Sequence, residues 1–71
     1  MWVYRTSVGT FSIRPCNGGF NLWINDENLG HYTSAIAAAD DVYMCATGHW
    51  PWDQRMIVDQ PTDLSEWSLL P

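Results

Sequence analysis

The sequence predicts an α+β fold: a three-stranded antiparallel sheet packed against one α-helix, with a tryptophan-rich C-terminal tail. Two alternating stretches, TFSIR at 10–14 and FNLWI at 20–24, flank the dipeptide Asn17-Gly18, and a period of two marks a half-buried strand. An alanine-rich run with helical spacing follows, and beyond Gly48 prolines and tryptophans replace any period. At 71 residues the chain makes a single domain. A domain this short buries only about 60% of the surface its unfolded chain exposes, so each of its five tryptophans matters to the core. The expected division is a sheet over residues 2–32, a helix over 34–47 and a tail over 49–71.

Trp2 to Thr6 either extends the first strand or forms a separate one, with Gly9 as a bulge or bend. In TFSIR, Phe11 and Ile13 share one face and Ser12 and Arg14 the other. PCNGG is then a turn, in which Asn17-Gly18 suits a type I′ hairpin with positive φ at both central residues. FNLWI is the central strand, with Phe20, Leu22 and Ile24 inward and Asn21 and Trp23 outward. After the polar turn NDEN, LGHY forms a short third strand whose Gly30 permits a bulge or a close backbone approach.

Thr33 or Ser34 caps the helix, and Gly48 supplies the left-handed residue that ends it. At 100° per residue Ala35, Ile36, Ala39, Val42, Tyr43 and Ala46 form the stripe expected to be buried, with Ala38 and Cys45 on its flank. Alanines there let the helix lie close to the sheet. Asp40 and Asp41 have no basic partner three or four residues away and read as a solvated acidic edge. In the tail, MIV at 56–58 suits a short extended piece, and PTDLSEW suits one helical turn capped by Thr62 or Asp63. Trp50, Trp52, Trp67 and Leu69 carry enough apolar area that some of them should close the core.

The net charge is −5, unevenly divided. Residues 1–25 hold Arg5 and Arg14 and no carboxylate, giving +2, whereas residues 26–71 hold all eight carboxylates and Arg55, giving −7. Lysine is absent, which speaks against affinity built by neutralising many phosphates. No apolar run approaches the ~20 residues that cross a bilayer, and the first residues lack the pattern of a signal peptide. The expected setting is cytoplasmic, with Cys16 and Cys45 as free thiols.

Chemical constellations are sparse. Cys16, His31, Cys45 and His49 make a Cys2His2 set by composition, but Cys16 and His31 lie fifteen residues apart on different turns. Structural zinc sites bring ligands as close pairs, so the expectation is no metal and no cofactor. Asp26-Glu27 and Asp40-Asp41 are adjacent pairs whose side chains diverge, Gly18-Gly19 precedes a strand rather than a helix, and no cysteine stands in a nucleophile's sequence context. An enzyme is not expected. Trp23, on the predicted open face of the sheet beside Arg14, Asn21 and His31, is the best candidate for contact with a ligand.

Within LGHYTSAIAAADDVY at 29–43, Leu29, Gly30, Tyr32, Ser34, Ala35, Ala38 and Ala39 match Leu-Gly-x-aromatic-x-Ser/Thr-Ala-x-x-Ala-Ala. This pattern resembles the strand-to-helix junction of plant ethylene-response-factor DNA-binding domains. The order of elements is similar to theirs and to that of phage-integrase arm-binding domains, and the overall likeness is to small bacterial proteins of unknown function. The matched positions pack helix on sheet, so the resemblance implies the fold first. It further implies that an open sheet face presents arginine and tryptophan, which here means Arg14 and Trp23 with Arg5, to a DNA major groove. The reading is a small non-enzymatic binding protein that engages a protein partner or itself, with nucleic acid as the alternative. Arg5, Arg14, Asn21, Trp23 and His31 are its candidate binding residues.

Overall fold

The computed structural model describes residues 1–54 and 64–70, and it corrects the sheet from three strands to five. In chain order the elements are β1 (Trp2–Thr6), β2 (Gly9–Cys16), β3 (Gly19–Ile24), β4 (Glu27–Tyr32), helix α1 (Ala35–Tyr43), the four-residue helix α2 (Trp50–Asp53), a 3-10 turn (Leu64–Glu66) and β5 (Ser68–Leu69). Their order across the sheet is β4-β3-β2-β1-β5, every pairing antiparallel. The expected extended piece at 56–58 and the Thr62 or Asp63 cap lie outside the described residues.

Trp2–Thr6 is a strand of its own because a tight turn intervenes before Gly9. The turn is built by a side chain: Thr6 Oγ1 accepts from the Val8 N–H at 3.2 Å and donates to the Gly9 carbonyl at 2.6 Å. Gly9 sits where a Cβ would lie 2.8 Å from Asn25 Nδ2 and 2.9 Å from Ile24 Cδ1, so two successive turns pack together over it. Asn25 (φ 50°) donates its N–H to the Thr10 carbonyl at 2.9 Å, and its Oδ1 accepts from Thr10 N–H at 3.0 Å. Asparagine is among the few side chains that tolerate this left-handed conformation.

The hairpin at Asn17-Gly18 is present, but only Gly18 takes positive φ (80°), so it is not the type I′ turn expected. Strand β2 also runs two residues beyond Arg14, through Pro15 to Cys16. The β3–β4 ladder shifts register between Leu22 and Trp23, where Leu22 faces Gly30 and Trp23 faces Asn28. Leu29 is the extra residue of this bulge.

Alternation sorts the sheet into two faces. Phe11 opposite Ile24 and Ile13 opposite Leu22 form the middle of the inner face, and all four are buried. Helix α1 covers them. Ser34 caps it, with Oγ accepting the Ala37 N–H at 3.1 Å. Its buried residues are Ala35, Ala38, Ala39 and Val42, which corrects the expected stripe: Ile36 is 64% exposed, Tyr43 is 41% exposed and Ala46 is exposed. Spacing of i, i+3, i+4, i+7 gives a narrow seam, and only its small residues allow close contact with the sheet.

The helix ends at Tyr43 rather than near residue 47, and Cys45, not Gly48, takes the left-handed position (φ 55°). Cys45 N–H donates to Val42 O at 3.2 Å and Ala46 N–H to Asp41 O at 2.9 Å, the paired closure of a Schellman end. Gly48 (φ 84°) serves the next corner instead. There Asp53 Oδ1 accepts from the Thr47 N–H at 2.9 Å and its hydroxyl at 2.8 Å, and Oδ2 accepts from the Gly48 N–H at 2.8 Å. This carboxylate folds α2 back so that Trp52 enters the core. Trp52 is 1% exposed, its ring meets Phe11 edge-on at 5.1 Å, and its Nε1–H donates to Val42 O at 2.9 Å. Trp67 is also buried, against Tyr4. Trp50 and Leu69, expected among the candidates for closing the core, are 70% and 68% exposed.

Candidate functional site

All five candidate residues fall on the outer face of the sheet. Arg5 stands opposite Thr10, Arg14 opposite Asn21, Asn21 opposite His31, and Trp23 opposite Ser12 and Asn28. These positions alternate with the core residues, so strand pairing alone places them on one face. Among the described residues, α1, Trp52, Trp67 and Leu64 all pack with the inner-face core, and no described helix crosses the outer face.

The middle of this face is an arginine laid on a tryptophan. Arg14 Cζ lies 4.5 Å from the centre of the Trp23 ring, and Arg14 Nε–H donates to Ser12 Oγ at 3.0 Å. Ser12 is buried beneath it. The cation–π contact and the hydroxyl bond together hold the guanidinium over the ring before any ligand arrives. The strand residues of this face carry two arginines and no carboxylate. Asp40, Asp41 and Asp53 belong to the helices on the inner side. Arg5 stands apart from the Arg14–Trp23 pair, at a cleft of about 250 Å³ lined by Val3, Tyr4, Arg5, Glu66, Ser68 and Leu70.

Next to this pair, the fold adds the Cys16 thiol to Asn21 and His31, which the sequence had already placed on this face. His31 Nδ1 lies 3.1 Å from Asn21 Oδ1 and 3.4 Å from Cys16 Sγ. Cys16 is a strand residue on this face rather than a loop thiol, and it is the site residue that sequence reading missed. The signal was Pro15-Cys16 continuing the alternation of TFSIR, masked by the turn-like composition of PCNGG. Cys45 and His49 flank the inner side with α1 and α2, so the four-residue set of the sequence does not assemble. Neither cysteine is in a disulfide. The thiol and the amide oxygen both meet Nδ1, whereas a nucleophile relay needs one ring nitrogen for each partner. In this arrangement the three do not form one.

Asp41 is not a solvated carboxylate. It accepts a hydrogen bond from Tyr32 Oη at 2.7 Å, and burial, then this bond, push the Tyr32 hydroxyl's ionisation well above its ordinary range. The contact fastens the end of β4 to the last turn of α1.

Fold and site together define a sheet-dominated α+β domain whose outer face carries an arginine–tryptophan pair. The chain has no match among family models, curated proteins or solved structures. Among the described residues no helix is long and apolar enough to cross a membrane.

Proposed function

We propose that the protein is a small non-enzymatic binding protein that takes a protein partner on the outer face of its sheet. The observation that carries this reading is the Arg14 guanidinium held 4.5 Å over Trp23 on a face that no described helix crosses. Arginine and tryptophan are the side chains that most often dominate interface energies, and a pair already fixed loses less freedom on binding. A neighbouring amide and imidazole, Asn21 and His31, supply hydrogen bonds at its edge. The charge division favours a partner surface that is acidic or neutral.

Capture of partners from a lysate tests it, with intact protein set beside Trp23→Ala and Arg14→Ala. Each substitution should weaken capture by about thirtyfold, the effect of losing an anchor worth ~2 kcal/mol, while Ile36→Ala on the helix leaves it unchanged. Recovery of the same proteins by all four would end the proposal.

Nucleic acid is the second reading, supported by the same arginine and tryptophan and by the resemblance of the strand-to-helix junction. Two arginines limit what it could achieve. Neutralising two phosphates of a duplex gives a log–log salt slope of about −1.8, so affinity would fall only about tenfold between 50 and 200 mM salt. No binding of an oligonucleotide at low salt, or binding indifferent to Arg14→Ala, excludes this alternative.

A further inference from the structure

We propose that Cys16 and His31, with Asn21 as a weaker third donor, form a site for a thiophilic cation of the zinc class. The three residues come from β2, β4 and β3 and converge on the outer face, with Sγ and Oδ1 lying 3.4 Å and 3.1 Å from the same ring nitrogen. A neutral imidazole has one proton or one lone pair at that nitrogen and serves one partner at a time. A cation between them, bound as the thiol proton passes to solvent, accepts lone pairs from sulfur, nitrogen and oxygen together.

The bite fits. Tetrahedral zinc takes sulfur at about 2.3 Å and imidazole nitrogen at about 2.0–2.1 Å, which separates the two ligand atoms by about 3.5 Å. Cys16 and His31 stand 3.4 Å apart without any backbone movement. Thiolate with imidazole is a donor set that selects zinc-class ions over magnesium or calcium.

The juxtaposition is built into the sheet. His31 must reach across β3 to meet Cys16, and it does so over Gly19, the residue paired with Cys16. A Cβ at position 19 would lie 3.1 Å from His31 Nε2 and 3.2 Å from Cε1, and would strike the Tyr32 carbonyl. The bare Cα is what lets the ring lie down beside the thiol. Among the described residues no further His, Cys, Asp or Glu completes the set, so none of them fills the remaining coordination positions. The site stands without the partner-binding reading and is tested on the isolated protein.

Cobalt(II) is the probe, titrated into reduced intact protein while the near-ultraviolet thiolate-to-cobalt band is followed. The expected result is one cobalt per chain, displaced by zinc. The band is abolished in Cys16→Ser, retained in Cys45→Ser, and demands at least about tenfold more metal in His31→Gln. Circular dichroism of each variant reads the fold separately, and all three substitutions leave the core untouched. Absence of the band in the intact protein, its survival in Cys16→Ser, its loss in Cys45→Ser, or indifference to His31→Gln would each overturn the site.

Discussion

A tyrosine and an aspartate nine positions apart, Tyr32 and Asp41, tie the last strand of the meander to the helix at 2.7 Å. Burial of the hydroxyl, reinforced by the bond to Asp41, makes the folded protein hold the tyrosine proton more tightly than the unfolded chain, whose tyrosine ionises near pH 10. The stability this contributes is complete below about pH 10 and falls as pH rises beyond it, because only the unfolded state releases the proton there. Denaturant midpoints measured from pH 8 to 11 should therefore drop at the alkaline end, and Tyr32→Phe should lessen that drop. An unchanged alkaline slope in Tyr32→Phe would refute the assignment. At this scale the sequence was readable where a residue's face follows from alternation, as for Arg14, Asn21, Trp23 and His31. It was unreadable where the partner lies on another element: nothing in Asp40-Asp41 says which carboxylate meets Tyr32, or that Cys16 meets His31.

The end of α1 shows what an element keeps from its local sequence. Its start was legible, since Ser34 precedes the alanine run and bonds the Ala37 N–H. Its end was not, because Gly48 is the strongest terminating signal and is taken by the corner that Asp53 closes. Cys45 takes the left-handed residue of the Schellman end in its place, at φ 55°, a conformation that costs an L-residue about 1 kcal/mol relative to glycine. Cys45→Gly should then raise stability by about 1 kcal/mol and the thermal midpoint by about 4–8 °C. A lower midpoint would show that the half-buried thiol's packing outweighs the backbone relief. The two strands beyond the expected three, β1, which the sequence leaves open as a separate strand, and β5, which it does not foreshadow, have similar causes. The β1–β2 turn lacks an Asn-Gly or Asp-Gly dipeptide and rests on the Thr6 hydroxyl, and β5 is two residues long, too short to display any alternation.

For the molecule as a whole, the core is one sheet face, one alanine seam and two indoles. Trp52 links the sheet to the helix, with its ring against Phe11 and Tyr4 and its N–H on the helix carbonyl of Val42. Trp52→Ala should cost about 3–5 kcal/mol, close to all the stability a domain of this size possesses, and circular dichroism should show an unfolded chain. Trp50→Ala, at 70% exposure two residues away, should stay within about 0.5 kcal/mol of the parent. Equal effects would refute the described packing. That strands precede a helix could be read from periodicity, but the five-stranded sheet could not, nor which tryptophans are core, since Trp50 and Trp52 share the same tripeptide and differ only by the direction in which α2 turns.

The chain's first and last described residues are joined as well. Met1 N–H donates to Leu70 O at 2.8 Å and Leu70 N–H to Met1 O at 2.7 Å, beside the pairing of β5 with β1. Topologically, then, β5 stands before β1 as the opening strand of an unbroken up-and-down meander, β5-β1-β2-β3-β4. A peptide linker between the two ends and a cut at Asn17-Gly18 would give a circularly permuted chain with every ladder preserved. In that chain the Arg14–Trp23 contact would join opposite ends of the polypeptide, while its place on the sheet stayed the same.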